Sequence, residues 1–121
     1  MPQMLIVEDE LDIADCLQQF FAWRGFSVVS THSGEEALEW LKERSADVIL
    51  LDLLLPGLSG IEVLKRAKVL HPRAQVIIVT ALDQVSLREE AERYGACDFI
   101  TKPFNFSDNA WSAILHRIYP K

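Results

Sequence analysis

The residues of this 121-residue chain that could do chemistry lie where predicted strands end. There are five such residues, and each of them follows or closes a short apolar run: Glu8, Asp9, Asp52, Thr80 and Lys102. An ionisable side chain at the end of a buried strand is costly unless it is paired or takes part in chemistry. Three acids, one hydroxyl and one lysine together could hold a divalent metal ion beside a phosphorylated carboxylate.

The residue types favour phosphoryl chemistry with magnesium. Clustered carboxylates repel each other, so they either raise a pKa or recruit a cation, and oxygen ligands without thiols or imidazoles favour Mg²⁺. An aspartate such as Asp52 can attack phosphorus and form an aspartyl phosphate. That transfer needs positioning and charge neutralisation, which Mg²⁺ and Lys102 would supply. The Thr80 hydroxyl could donate a hydrogen bond to a phosphoryl oxygen.

Each of these residues alone has an ordinary structural interpretation. A strand-end aspartate often caps a helix, a strand-end threonine is usually structural, and a lysine before a proline usually lies in a solvated loop. The set is more specific than its members, because an acid pair, an acid, a hydroxyl and a lysine end four different strands in that order.

Strand-like and helix-like segments alternate along the chain. Strands are predicted at about 3–7, 26–30, 48–51, 76–80 and 98–101. Four helices are predicted at about 10–24, 60–70, 85–94 and 107–118. A further helix is predicted to begin at the capping box formed by Ser33 and Glu36. This alternation predicts a parallel sheet with helices on both faces. In such sheets ligands bind beyond the carboxyl ends of the strands, where all five polar residues would gather.

Composition excludes several functional classes. The net charge is −6 and the only basic cluster is Lys65, Arg66 and Lys68, so direct nucleic-acid binding by this chain is not expected. No apolar stretch approaches the roughly 20 residues that span a membrane. Two lone cysteines, Cys16 and Cys97, without a signal peptide indicate a reducing, cytoplasmic setting. The length fits one domain over residues 1–121.

Four motifs give the chain a family resemblance. They are Val7-Glu8-Asp9-Glu10, Leu51-Asp52-Leu53-Leu54-Leu55-Pro56-Gly57, Val79-Thr80-Ala81 and Phe99-Ile100-Thr101-Lys102-Pro103-Phe104. Over essentially its whole length the chain resembles a receiver domain of the two-component response-regulator family. The resemblance implies a flavodoxin-like, three-layer, doubly wound α/β sandwich with five helices and a five-stranded parallel sheet in the order 2-1-3-4-5. The domain would stand alone or form the N-terminal part of a longer regulator.

The resemblance also implies the roles of the acidic residues. Asp52 would accept a phosphoryl group from a sensor histidine kinase or a histidine phosphotransfer protein. Mg²⁺ would be held directly by Asp9, Asp52 and the backbone carbonyl of Leu54, and by Glu8 largely through water. The chain would catalyse only its own phosphoryl transfer and dephosphorylation.

A switch follows from the same resemblance. Thr80 and Lys102 would sense the phosphoryl group, Phe99 would be the aromatic that turns inward, and the Lys102–Pro103 bond would be cis. The surface made by the fourth helix, the fifth strand and the fifth helix would then change and control an output domain or partner.

Two apolar features are expected to adjust this behaviour. The resemblance implies that the positions two residues after Asp52 and Thr80 tune the access of water to the phosphoryl group. Bulky Leu54 and Leu82 at these positions lead us to expect a long-lived phosphorylated form. In the last helix, Trp111 and Leu115 are expected on a face next to the core-facing residues, where they would mark a homodimer or output-domain contact. The core-facing residues expected there are Phe106, Ala110, Ala113 and Ile114.

Three other interpretations stay open at this point. A haloacid-dehalogenase-type enzyme would need a second aspartate two residues after Asp52, where this chain has Leu54. A flavodoxin-like flavin module would need a phosphate-cradling first loop, whereas residues 8–10 are all acidic. A receiver that signals without phosphorylation is disfavoured by the intact acid set.

Overall fold

The computed structural model describes residues 1–107 and 109–118, so Asp108 and positions 119–121 of the predicted domain lie outside the described residues. Strands and helices alternate strictly along the chain. The elements are β1 (Gln3–Val7), α1 (Leu11–Trp23), β2 (Ser27–Thr31), α2 (Gly34–Glu43), β3 (Val48–Leu51), α3 (Gly60–Leu70), β4 (Gln75–Thr80), α4 (Val85–Arg93), β5 (Ala96–Thr101) and α5 (Asn109–Ile118).

The five strands form one parallel sheet in the order β2-β1-β3-β4-β5, which confirms the predicted fold. The register aligns the carboxyl ends of the strands, because Val7 lies beside both Thr31 and Leu51, and Thr80 lies beside Thr101. The polar residues that follow these strands therefore emerge at one edge of the sheet.

Two hydrophobic cores cover the two faces of the sheet. Successive residues of a strand point to opposite faces, so Leu5 and Val7 join one core while Met4 and Ile6 join the other. Helices α2, α3 and α4 pack on the first face, and α1 and α5 pack on the second. The central strands β1, β3 and β4 are thus buried on both sides, as expected for a parallel sheet.

Most predicted boundaries lie within two residues of the observed ones. The predictions for β1, β3 and α3 match, while β2 starts one residue later than predicted. Phe26 closes the end of α1 by donating its N–H to the carbonyl of Phe21 at 3.1 Å, after Gly25 has taken a positive φ of 95°. Among the described residues no helix has both the length and the apolar character to cross a membrane.

The predicted orientation of the last helix was wrong for several residues. Trp111 is fully buried rather than on an interaction surface, and Ala110 and Ala113 are exposed rather than facing the core. Ile114 is buried as predicted, and Leu115 is half-buried against the core. The buried positions of α5 follow the spacing i, i+3 and i+7, so the helix turns its largest side chain toward the sheet.

Trp111 is buried because aromatic rings from other elements surround it. Its ring lies 5.3 Å from Phe104, 5.5 Å from Phe106 and 5.7 Å from Phe21, between centroids. The indole Nε1 has no hydrogen-bond partner among the described residues. The gain from packing a large ring therefore outweighs the cost of one unpaired N–H, and Trp111 is unavailable to a partner.

Candidate functional site

Asp52 lies one residue beyond β3 and is almost fully buried. Its backbone N–H donates to the carbonyl of Val7 at 3.0 Å, so the strand pairing places it. One carboxylate oxygen, Oδ1, accepts from the N–H of Leu54 at 2.9 Å. The other, Oδ2, accepts from Nζ of Lys102 at 2.8 Å. Both oxygens of this buried carboxylate are thus fixed by partners.

Glu8 is the second buried acid of the site. It follows β1 directly, and its side chain is as buried as that of Asp52. Oε1 lies 2.6 Å from Nζ of Lys102, and Oε2 accepts from the N–H of Glu10 at 3.1 Å. Glu8 therefore shares the Lys102 ammonium with Asp52.

Lys102 is held in place by the end of β4 and by the acids around it. Its backbone N–H donates to the carbonyl of Thr80 at 2.7 Å, and the Lys102–Pro103 bond is cis, as the resemblance implies. Its ammonium also lies 3.6 Å from Oε1 of the more exposed Glu10. A buried cation with two buried anionic partners avoids the large cost of an unpaired buried charge.

The electrostatics of this group follow from burial and from the ion pairs. Burial, opposed by the hydrogen bond from Lys102, raises the pKa of Glu8 to about 7. Burial alone would lower the pKa of Lys102, but the hydrogen bonds to Asp52 and Glu8 raise it above its ordinary value. Lys102 therefore stays charged, whereas Glu8 exchanges a proton near neutral pH.

The carboxylates suit a hard divalent cation. Oxygen atoms of Glu8, Glu10 and Asp52 all lie within 4.8 Å of one another, and no softer ligand is in the group. Asp9, predicted as a direct ligand, has an exposed side chain and is not part of this group. The donor set of Glu8, Glu10 and Asp52 fits Mg²⁺, and the role of Asp9 as a direct ligand stays a prediction.

Glu10, for which the sequence predicts no role in the site, lies beside the two buried acids. The sequence places Glu10 at the start of α1, and in the structure it occupies the N-cap position of this helix without a side-chain capping hydrogen bond. A residue at that position still lies beside the end of β1, so its side chain can reach the strand edge. The signal was present in the sequence, since Glu10 belongs to the same acidic run as Glu8.

Thr80 and Phe99 lie on one face of the sheet. Thr80 is fully buried, and its hydroxyl oxygen accepts from the N–H of Leu82 at 3.4 Å. In the pairing of β4 with β5, Ile78 lies beside Phe99 and Thr80 beside Thr101. Because alternate residues share a face, the half-buried ring of Phe99 lies two residues along from Thr80 on the same side.

The geometry agrees with a comparison to known families. A profile described as "Response regulator receiver domain" matches residues 4–110. The chain belongs to the response regulator receiver domain family. Receiver domains are phosphorylation-activated switches of two-component signalling, and they interact with histidine kinases or phosphotransfer proteins and with output domains.

Individual relatives show the same relationship. The chain is 41% identical over 105 residues to the uncharacterized transcriptional regulatory protein YkoG of Bacillus subtilis, and spans 46% of that protein, about half of its length. It is 34% identical over 106 residues to sporulation initiation phosphotransferase F of B. subtilis, 86% of which it covers.

A solved receiver provides a structural comparison. The response regulator TrrA of Thermotoga maritima, crystallised in complex with Mg²⁺-BeF, superposes with a TM-score of 0.83 at 27% identity. The match covers 98% of this chain and 99% of that one. TrrA thus has the same fold over nearly its full length.

Proposed function

We propose that Asp52 accepts a phosphoryl group from a phosphorylated histidine of a sensor kinase or phosphotransfer protein. The observation that carries this proposal is the buried Asp52 carboxylate, which lies 2.8 Å from the Lys102 ammonium and beside the Glu8 and Glu10 carboxylates. Such a site combines a nucleophile with the charges that phosphoryl transfer needs.

Each residue of the site would have a separate role in phosphoryl transfer. A carboxylate oxygen of Asp52 attacks phosphorus, and the bond from phosphorus to the donor nitrogen breaks as the new phosphorus–oxygen bond forms. Lys102 offsets the charge on the phosphoryl oxygens. As the family resemblance implies, Asp9, Asp52 and the Leu54 carbonyl would hold Mg²⁺ directly and Glu8 would act largely through water. The Glu10 carboxylate also lies close enough to contribute. When bound, the ion supplies additional positive charge.

Phosphorylation would be read out through Thr80 and Phe99. A phosphoryl group on Asp52 adds charge and acceptor oxygens, toward which the Thr80 hydroxyl can turn. The movement would vacate space on the face that Phe99 shares, so the ring can turn inward and alter the α4-β5-α5 surface. That surface would bind an output domain or a second copy of the chain, without a contribution from the buried Trp111.

The domain arrangement is a proposal too. Residues 1–121 would be one receiver domain, either independent or at the N-terminus of a longer regulator, as the coverage of YkoG suggests. Turnover of external phosphate esters is disfavoured, because Leu54 stands where a dehalogenase-type enzyme has its acid–base aspartate. The same exposed Leu54, with the half-buried Leu82, supports the proposal of a long-lived phosphorylated form.

Intact-mass analysis after incubation with acetyl phosphate tests the function directly. We expect one phosphoryl adduct that requires Mg²⁺ and is absent from Asp52→Asn. Asp47→Asn is the matched control, because Asp47 is an exposed aspartate just before β3 and should leave the adduct unchanged. An adduct that persists in Asp52→Asn would contradict the assignment. A wild-type protein that binds Mg²⁺ but forms no adduct, even with a phosphorylated histidine donor, would favour signalling without phosphorylation.

A further inference from the structure

Arg88 of α4 covers the ring of Phe99. The guanidinium carbon of Arg88 lies 4.9 Å from the centroid of the ring, and the guanidinium donates to the backbone carbonyl of Phe99 at 3.5 Å. A planar guanidinium is well suited to stacking on an aromatic face. One side chain of α4 therefore contacts both the side chain and the backbone of the same β5 residue.

Few other contacts hold α4 on the sheet. Of its nine residues, Ala91 alone is buried, and Leu87 is half-buried against the core. Val85 at its first position is 73% exposed, and Gln84 provides no side-chain cap. A helix with so little buried apolar surface is easily displaced, so a single added contact has a large share in positioning it.

The Arg88 contact opposes the movement proposed for Phe99. The ring of Phe99 on β5 lies on the same sheet face as Thr80, which ends the neighbouring strand β4. If the ring turned inward toward the space beside Thr80, it would leave the guanidinium and lose the stacking contact. The contact is therefore present with the ring in its observed position and would be lost if the ring turned inward.

We propose that Arg88 is a positioning residue that clasps Phe99 in its resting orientation and so restrains the switch until Asp52 is phosphorylated. This inference rests on the proposed function, because it takes Phe99 as the switching residue. The new point is that a cation on α4 sets the ratio of outward to inward Phe99 orientations in the resting protein. After the switch, the Arg88 guanidinium would be released onto the α4-β5-α5 surface, where an acidic group of a partner could bind it.

The clasp can be tested by fluorine NMR on protein labelled with 4-fluorophenylalanine. The chain has six phenylalanines, so the Phe99 signal is assigned with Phe99→Leu. Signals are compared without a phosphodonor and with Mg²⁺ and beryllofluoride, which mimics the phosphoryl group. The variants are Arg88→Ala and Arg88→Lys. The control is Arg93→Ala, which removes the same charge from the exposed last turn of the same helix.

We expect Arg88→Ala to raise the inward population of Phe99 in the resting protein about two- to fivefold, the scale of one exposed cation–π contact. The signal should move toward its beryllofluoride position, with Arg88→Lys intermediate and Arg93→Ala unchanged. A resting signal in Arg88→Ala that coincides with those of wild type and Arg93→Ala would overturn the clasp.

The same samples separate this inference from the proposed function. If acetyl phosphate gives the Asp52 adduct by mass but the wild-type Phe99 signal does not move, Phe99 is not the switch and the clasp is overturned while phosphorylation stands. If no adduct forms with any donor, the proposed function itself fails, and the clasp fails with it.

Discussion

At the scale of single residues, Lys102 is the centre of the site. Its ammonium lies between the buried carboxylates of Glu8 and Asp52, with Glu10 at the open side. In the metal-free protein this single positive charge offsets part of the negative charge of the three acids. A cation that binds these carboxylates must share them with Lys102, which couples metal binding to the position of the lysine.

Replacing Lys102 should therefore destabilise the metal-free protein. Lys102→Met leaves two buried carboxylates without a cation, and breaking such a buried pair costs about 3–5 kcal/mol. Urea denaturation in the presence of a chelator measures this loss, and millimolar Mg²⁺ should restore part of it because the ion replaces the missing charge.

Lys42→Met is the matched control for Lys102→Met. Lys42 pairs with Glu39 at 2.8 Å, but both side chains are more than half exposed. Exposed pairs contribute about 0–1 kcal/mol, so this variant should unfold almost like wild type. Equal effects of the two substitutions would show that the buried pairing of Lys102 is not what stabilises the site.

At the scale of secondary-structure elements, α5 packs its largest side chain into an aromatic cluster beside the site. Trp111 links α5 to α1 and to the loop that follows Lys102, through the rings of Phe21, Phe104 and Phe106. Phe106 in turn stacks on Phe20 of α1 with centroids 3.7 Å apart. This aromatic cluster fastens the loop that carries the site lysine.

Removing the indole of Trp111 should cost far more than removing an exposed one. Trp111→Ala should lower the free energy of unfolding by about 3–5 kcal/mol, as for other buried aromatic residues. Trp23→Ala is the control, because Trp23 is 86% exposed and its loss should change stability by about 0.5 kcal/mol or less.

Urea titration measures the free energies of unfolding of these variants, and Trp111→Phe is a third variant for the same series. It keeps an aromatic ring and removes an indole N–H that has no partner among the described residues, so we expect a smaller loss than for alanine. A Trp111→Ala protein as stable as Trp23→Ala would contradict the buried placement of Trp111.

At the scale of the whole molecule, folding stability is linked to protonation of Glu8. The pKa of Glu8 is about 7 in the folded protein and 4.5 as the ordinary value. Between these values the folded state binds more protons than the unfolded state, so the free energy of unfolding falls as pH rises from about 4.5 to about 7. The stabilising contribution is fully present below this window and lost above it.

Glu8→Gln should remove this part of the pH dependence. In metal-free protein, the variant should gain stability relative to wild type as pH rises through the window, measured by urea denaturation at several pH values. Glu39→Gln, at an exposed position, should follow the wild-type curve. Parallel curves for wild type and Glu8→Gln would contradict the raised pKa.

Local sequence was enough to predict most of the architecture. The apolar runs act over a few residues, and the predicted bounds of β1 and β3 match the observed ones. The predicted cap at Ser33 is also present, since its hydroxyl oxygen accepts from the N–H of Glu36 at the start of α2. The strand-end positions of Asp52 and Lys102 then brought them to one edge, because parallel strands all end there.

Other features depended on contacts between distant parts of the chain. The sequence alone could not choose which face of α5 meets the sheet, because residues on neighbouring faces were apolar and the rings around Trp111 come from α1 and the β5–α5 loop. Nor did it predict a role for Glu10, because that side chain comes near Lys102 only in the folded chain. In the structure the Asp9 side chain is exposed, and the Glu10 carboxylate lies 3.6 Å from the Lys102 ammonium. Periodicity and residue type are local and so can be read from sequence, whereas the rotation of a helix and the partner of a charge are set by packing across the fold.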